Sequence, residues 1–210
     1  IIFTDVGWNK NGVGQQFDIT IPGTIHHPSG LATMGFGSAA ILGAKLAAPD
    51  KKVITLIGDG GFGTNPSVIA AAVEQNIPVV WVIMNNSAFG TIAGLEYSNY
   101  KTKFGTVFTT PDGKPYSPNW AEVAKAYGVD AIRIDSAEAF KPALEKALAS
   151  ILDGHHITWC SQLRMGKSSG AKCATKSVMV SSAPTIQKPH PAPDMEWMQP
   201  HTISISAWQR

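Results

Sequence analysis

Val53-Ile54-Thr55-Leu56-Ile57 runs straight into Gly58-Asp59-Gly60-Gly61-Phe62-Gly63. A short apolar β run that feeds a glycine loop, with a helix after it, suits an anion. Backbone N–H groups and the helix N-terminus can both face a phosphate. Sheets built from such units bind their ligands at the carboxyl ends of the strands. A phosphorylated ligand is therefore the first expectation. Gly58, Gly60 and Gly63 also satisfy G-x-G-x-x-G, the dinucleotide pattern, which is a weak match on its own. That pattern calls for an acid about 20 residues on, at the end of the next strand. The next β run, Val79–Met84, ends in Asn85-Asn86, and the nearest acid, Glu74, falls on the intervening helix. A nicotinamide-dependent Rossmann oxidoreductase fails this requirement and stands as the alternative reading.

Asp59 and Asn86 have a different use. They lie 27 positions apart, each at the end of a buried β run. Adjacent parallel strand ends would bring them together. One carboxylate oxygen, one amide oxygen and a nearby backbone carbonyl make a small hard-oxygen site. Mg²⁺ favours such a site when phosphate oxygens and water complete its octahedron. A diphosphate needs that neutralisation, because a glycine loop supplies no formal positive charge.

The elements that must position these residues alternate. Residues 1–5 and Val53–Ile57 read as strands, and Leu31–Ala48 reads as a helix ending at Pro49-Asp50. Pro66–Gln75 reads as a helix, with Asn65 as N-cap and Pro66 at the first helical position. Val79–Met84 is a continuous apolar strand. Pro118–Tyr127 and Ala137–Leu152 read as helices, with the strand Ala131–Ile134 between them. Continuous apolar strands separated by helices predict a doubly wound, mostly parallel α/β sheet with helices on both faces. Residues 96–117 read as a long loop, and loops of that length usually have a functional reason or are disordered.

The sequence also resembles a known family. Gly58-Asp59-Gly60 followed after about thirty residues by Asn85-Asn86 resembles the fingerprint of thiamine-diphosphate (ThDP) enzymes. Asp5-Val6-Gly7, the segment Gly30-Leu31-Ala32-Thr33-Met34-Gly35-Phe36-Gly37, and Asn85-Asn86-Ser87-Ala88-Phe89-Gly90 fall in the order and spacing of the acetolactate synthase group. The resemblance covers about residues 1–152 and concerns the diphosphate-binding domain. It implies that Asp59, the side chain of Asn86 and the backbone carbonyl of Ala88 hold Mg²⁺. It implies that Gly58, Gly60 and Gly61 line the diphosphate. Gly61 stands where many members have Ser. Val6, Gly7, Trp8 and Asn9 match the turn that reaches the diphosphate from the other side, and Trp8 stands where a polar residue is expected. Met34 matches the bulky apolar residue that props the cofactor in a bent shape, with Ala32 and Thr33 beside it. Ala32 replaces a Gly, but the implied contact uses the backbone carbonyl, which Ala also offers. Phe89, Gly90, Thr91 and Ile92 would lie near the thiazolium and the substrate. The implied chemistry is carboligation or decarboxylation of 2-oxo acids.

Other features have blander readings. His26-His27-Pro28 precedes the Met34 segment and could serve acid–base chemistry, yet loop imidazoles are often structural. Lys101 and Lys103, near Tyr97 and Tyr100, could bind an acidic substrate, but a solvated loop explains them better.

Composition bounds the function class. The chain has 210 residues, 44% apolar and 15% charged, with net charge +2. No dense basic stripe points to nucleic acid. No apolar run approaches the ~18 residues of a membrane span. A cytoplasmic location is expected. The net charge is a sum of unlike parts, −1 over residues 1–152 and +3 over 153–210. The second part holds both cysteines, three of the six tryptophans and four of the six histidines, so it reads as an irregular or disordered tail. The spacing of Cys160 and Cys173 does not match a zinc ribbon. No Val/Ile-rich run follows Leu152, so the strand that the family places there is expected to be lost.

The chain opens on Ile1-Ile2-Phe3-Thr4 without an initiator Met, as a fragment starting inside a strand would. The resembled family carries its activating glutamate on a pyrimidine-binding domain. The expectation is thus a fragment or subunit that is inactive alone. It would need a pyrimidine-binding domain or subunit, and it would belong to a homo-oligomer, a dimer or tetramer, in the full enzyme. A non-catalytic, truncated binding module is the remaining alternative.

Overall fold

The computed structural model describes residues 1–152 and 159–164. Strand β1 (Ile2–Thr4) leads to helix α1 (Trp8–Gln16), strand β2 (Ile25–His26) and helix α2 (Phe36–Ala47). Strand β3 (Ile54–Gly58) runs into the one-turn helix α3 (Asp59–Phe62), followed by α4 (Val68–Glu74) and strand β4 (Val80–Asn85). Then come α5 (Gly90–Tyr100), α6 (Trp120–Ala126), β5 (Ala131–Ile134), α7 (Phe140–Leu152) and β6 (Trp159–Arg164). The six strands form one parallel sheet in the order β2-β1-β3-β4-β6-β5. The doubly wound α/β expectation holds.

Alternation along the central strands builds two cores, because successive side chains of a strand point to opposite faces. Trp81 and Ile83 of β4, with Val53, Ile57 and Val79, pack against Ile41 of α2, Ile69 of α4 and Ala124 of α6. Val80 and Val82, with Ile54 and Leu56 of β3, pack against Val13 of α1 and Phe140, Leu144 and Ile151 of α7. The Trp81 indole N–H is satisfied by the Ser38 carbonyl at 3.1 Å, so its burial leaves no orphan donor there.

Strand order sets where a ligand can sit. From β1 the chain goes outward to β2, then returns across β1 to β3 and β4. The carboxyl ends of β1 and β3 therefore flank a topological switch point, where the loops diverge and leave a crevice. Asp5-Val6-Gly7 and Gly58-Asp59 are those two loops.

Several elements escaped the sequence pattern. Helix α1 contains Gly12 and Gly14 and has no side-chain cap, so propensity does not announce it. It forms because Val13 is buried beneath the sheet and Asn9 is pinned to the strand ends. Helix α2 starts five residues later than expected, because Leu31–Gly35 makes a turn with Ala32 and Gly35 at positive φ. Residues 96–100 of the expected long loop belong to α5. Strand β6 corrects the expectation of a lost final strand. It lies between β4 and β5, with Ser161 opposite both Val82 and Ile132. It falls within the stretch read as an irregular tail, and the rest of that stretch, Cys173 included, lies outside the described residues. Among the described residues no helix is long and apolar enough to cross a membrane.

Two expected outcomes follow from packing and register. A Cβ on Gly37 would meet Thr55 Oγ1 at 2.7 Å and the Thr4 carbonyl at 3.0 Å, whereas Gly43, exposed on the same helix, has open space. Urea unfolding should show Gly37→Ala destabilised by about 1–3 kcal/mol. Gly43→Ala should be stabilised by about 0.5–1 kcal/mol, the helix-propensity gain. Separately, Ser161→Pro removes a ladder donor from an interior strand and should cost on the order of 1–3 kcal/mol. An unchanged urea midpoint would place residue 161 outside the sheet.

Candidate functional site

The crevice is built from strand ends inward. Asp59 directly follows β3 and opens α3, and it is 2% exposed. Its Oδ1 accepts the Asn86 N–H at 3.4 Å, across from β3 to the end of β4. Its Oδ2 is buried with no hydrogen-bond partner. Burial pushes its carboxyl up to about 6, against the amides of Asn86, Gly60 and Ser87, which favour the anion. A buried carboxylate oxygen without a donor fits a cation, because an unanswered charge there is costly.

Asn86 stands at the mouth of the crevice and is exposed. Its Oδ1 accepts the Ala88 N–H at 3.2 Å, which curls the segment so that Ser87 takes positive φ. Asn85 is turned inward instead. Its Nδ2 donates to Ser117 Oγ at 2.8 Å, and its Oδ1 accepts the Ser87 N–H at 3.1 Å. Ala88 bridges Val107 in an antiparallel pair flanked by two bonds, Phe89 N–H to Thr106 O and Phe108 N–H to Ser87 O. In that pattern the carbonyl of Ala88 points away from the Val107 segment. Asp59 and Asn86 thus lie next to each other, joined through the Asn86 backbone N–H, with Ala88 two residues further along. Among the described residues no group of three or more His, Cys, Asp or Glu side chains could hold a metal. The oxygen set here is of another kind, one carboxylate with amide and carbonyl oxygens.

Glycines let the loops close on one another. A Cβ on Gly60 would strike the Phe89 ring at 2.6 Å, with the Phe108 ring at 3.6 Å. Those two rings meet edge to face, with centroids 4.8 Å apart. A Cβ on Gly90 would lie 2.7 Å from Asn86 Nδ2, and one on Gly61 would overlap Asp5 Oδ2. Gly58 is the N-cap of α3 and Phe89 that of α5. On the β1 side Gly7 has φ 106, and its missing side chain faces Thr91 Oγ1 at 3.4 Å. Trp8 lies 3.9 Å from the Cβ position of Gly90. The first turns of α1, α3 and α5 therefore gather at one point. Their unpaired N–H groups and aligned peptide dipoles make it favourable for an anion.

Some expected residues have other duties. The Asn9 amide donates to Asp5 O at 2.9 Å and to Leu56 O at 3.1 Å, so this side chain ties β1 to β3. Val6 and Asn9 otherwise offer backbone only by position. Ala32, Thr33 and Met34 lie on the turn before α2, with Ala32 at φ 50, a conformation in which Gly is at ease. The His26 ring stacks on Phe3 with centroids 4.8 Å apart, and its Nε2 meets Gly23 O at 3.0 Å, a structural role. His27 Nδ1 lies 3.4 Å from Pro28 O. Lys101 and Lys103 sit over the Tyr97 ring at 5.6 and 5.1 Å, packed on their own loop.

Sequence reasoning gave no role to Asp5, Asn85 or Phe108. Asp5 is fully buried, and its Oδ2 accepts the Gly35 N–H at 2.8 Å. Burial raises its carboxyl above the usual carboxylate range, against the amides of Gly35, Val6, Gly37 and Phe36. An acid at the end of an apolar strand was the available signal. For Asn85 and Phe108 the partners lie 32 residues away and across a hairpin, and no local pattern marks them.

Comparison with known proteins gives the same address. Residues 5–156 match the family described as thiamine pyrophosphate enzyme, C-terminal TPP binding domain. A probable acetolactate synthase large subunit of Methanocaldococcus jannaschii is 37% identical over 150 residues, which is 71% of this chain and 24% of that protein. A 3D-(3,5/4)-trihydroxycyclohexane-1,2-dione hydrolase of Bacillus subtilis is 33% identical over 147 residues, 70% of this chain and 23% of that protein. Among solved structures, a thiamine diphosphate-dependent 4-hydroxybenzoylformate decarboxylase of Rhodococcus jostii superposes with TM-score 0.66 at 28% identity. That match covers 79% of this chain and 29% of the other. The chain spans about a quarter of the length of the curated relatives it matches.

The buried carboxyl of Asp59 sets a pH dependence. Its value is raised in the fold from 3.8 to about 6, so the folded state holds the proton more tightly than the unfolded one. Its favourable contribution is full below pH 4 and is lost as pH rises through about 6. Without metal, the loss approaches about 3 kcal/mol. Asp59→Asn should flatten the difference in urea stability between pH 4 and pH 7 by an amount of that order. Equal pH profiles for the two proteins would contradict the assignment.

Proposed function

The chain belongs to the thiamine pyrophosphate enzyme family as its C-terminal TPP-binding domain, and from that premise we propose that it binds thiamine diphosphate through Mg²⁺ and serves a carboligase or decarboxylase acting on 2-oxo acids, in the manner of acetolactate synthase. The observation that carries the proposal is the buried, unpartnered Oδ2 of Asp59 beside the Asn86 segment. When bound, thiamine diphosphate supplies the carbon nucleophile and the electron sink for cleavage next to a carbonyl.

The residues of this chain hold and orient. Asp59, Asn86 Oδ1 and the Ala88 carbonyl take the cation, whose remaining positions go to phosphate oxygens and water. The amides at Gly60 and Gly61, and those opening α1 after Gly7, face the diphosphate. Met34 supports the organic part from the turn before α2, with Ala32 and Thr33 beside it. The Phe89–Phe108 pair walls the far side and keeps water from the Gly60 face.

The site is half of one. The curated relatives are about three times as long, which supports a further contribution from a pyrimidine-binding domain or subunit, and an activating glutamate supplied from it. A homo-oligomer of the complete enzyme would bring the two halves together. Names among the relatives include a synthase, a hydrolase and a decarboxylase, so the carbonyl acceptor is set elsewhere than at the diphosphate.

Tryptophan fluorescence tests the binding reading. Thiamine diphosphate with Mg²⁺ should quench saturably, EDTA should abolish the effect, and NAD should give none. Asp59→Ala should weaken binding by at least about tenfold. Unchanged metal-dependent binding in that variant would overturn the site. The 210-residue chain alone should show no ThDP-dependent decarboxylation of a 2-oxo acid, and clear turnover would refute the half-site reading.

A further inference from the structure

We propose that Asp5 is a positioning residue. It fixes the distance between the Met34 turn and the Gly60–Gly61 amides so that one ligand spans both. The inference rests on reading the crevice as a thiamine diphosphate cradle, and it adds a residue to which that reading gives no part.

Asp5 has almost no freedom of its own. It is fully buried at the end of β1. Its N–H donates to Leu56 O at 2.9 Å, and its carbonyl accepts the Asn9 amide at 2.9 Å. With the backbone clamped to β3 and α1, the short side chain reaches a fixed point. One oxygen, Oδ2, does two things there. It accepts the N–H of Gly35, the residue directly after Met34 and the N-cap of α2. It also fills the space where a Cβ on Gly61 would be. The other side of Gly35 is closed as well. A Cβ there would meet Thr64 Oγ1 at 2.6 Å, and that hydroxyl donates to Gly61 O at 2.7 Å. Gly35 is therefore held between Asp5 and the Gly61–Thr64 turn. The Met34 turn cannot shift against the glycine loop without breaking the Asp5 contact or colliding with Thr64.

Stability alone does not explain an aspartate here. Its second oxygen, Oδ1, is buried without a hydrogen bond, a cost that a neutral side chain would avoid. A charged acceptor does give a shorter, stiffer bond to the first amides of α2 than a neutral one. What is gained is a fixed spacing between two binding segments, and rigid support of that kind acts on ligands that touch both.

Two ligands separate this role from a general loss of structure. Magnesium pyrophosphate touches only the cation site and the glycine amides. Magnesium thiamine diphosphate also needs Met34. Titration calorimetry with the 210-residue chain should show Asp5→Asn binding thiamine diphosphate about tenfold more weakly, with pyrophosphate affinity held within about twofold. Thr64→Ala opens the opposite side of Gly35 and leaves the glycine-loop amides in place, so it should give a selective loss in the same direction. Where Asp5→Asn does not fold, Thr64→Ala decides. Parallel loss of both ligands, or loss of neither, overturns the inference and leaves the cradle standing. A native chain that binds thiamine diphosphate no better than pyrophosphate overturns the cradle and the inference with it.

Discussion

A carboxylate buried at the end of a parallel strand is costly unless something answers it, and this sheet buries two side by side. Asp5 directly follows β1 and Asp59 directly follows β3, with exposures of 0% and 2%. Backbone amides answer part of each charge, yet each keeps one oxygen without a donor. Either strand could have led into Thr or Ser without that cost. The rest of the crevice follows from satisfying these two groups. First turns of helices are aimed at them, loops are folded over them, and on the Asp59 side one oxygen is left with a place for a cation.

Closing loops over two carboxylates demands the absence of side chains in specific places. Gly60, Gly61 and Gly90 are each pressed by a neighbour that a methyl group would strike: Phe89, Asp5 and the Asn86 amide. The glycine loop is thus more than a permissive backbone. It is the surface on which two other segments rest, and its close contacts couple the Met34 turn, the Asn86 segment and the hairpin after α5. Gly61 shows the trade most directly. A serine there would place its Cβ on the Asp5 carboxylate, so in this chain the two positions are chosen together.

The sheet was legible in the sequence because its central strands are continuous apolar runs. Val53–Ile57 and Val79–Met84 differ from β3 and β4 by a residue at the ends. Asp59 and Asn86 were legible for the same reason, since residues at adjacent strand ends must meet. What stayed hidden depends on contacts distant in sequence. Helix α1, with its two glycines, is made by burial of Val13 and by the Asn9 clamp, neither of which leaves a local period. Strand β6 lacks the Val/Ile run expected of an interior strand, and its place is set by pairing with β4 and β5. Asp5 read only as part of a matched motif, because its partner amide belongs to Gly35, thirty residues away.

The hairpin after α5 is tied to the segment that follows β4. Its segment Thr106–Phe108 is bonded to Ser87 and Phe89, and Tyr116 N–H returns to Phe108 O at 3.0 Å. Glu96 holds its start, accepting Phe104 N–H at 2.9 Å and Thr106 Oγ1 at 2.8 Å. A change in the length of this hairpin would be felt at Asn86 and Ala88 through two backbone bonds. Its far strand is bonded back to the near one, and Ser117 just beyond it takes the Asn85 amide at 2.8 Å. A diphosphate and cation held beside Asn86 and Ala88 would therefore constrain the near strand more directly than the turn at Pro111-Asp112-Gly113. Relatives named as a synthase, a hydrolase and a decarboxylase could share one diphosphate floor under that division, since a part that differs between their substrates need not be the part that would hold a cation.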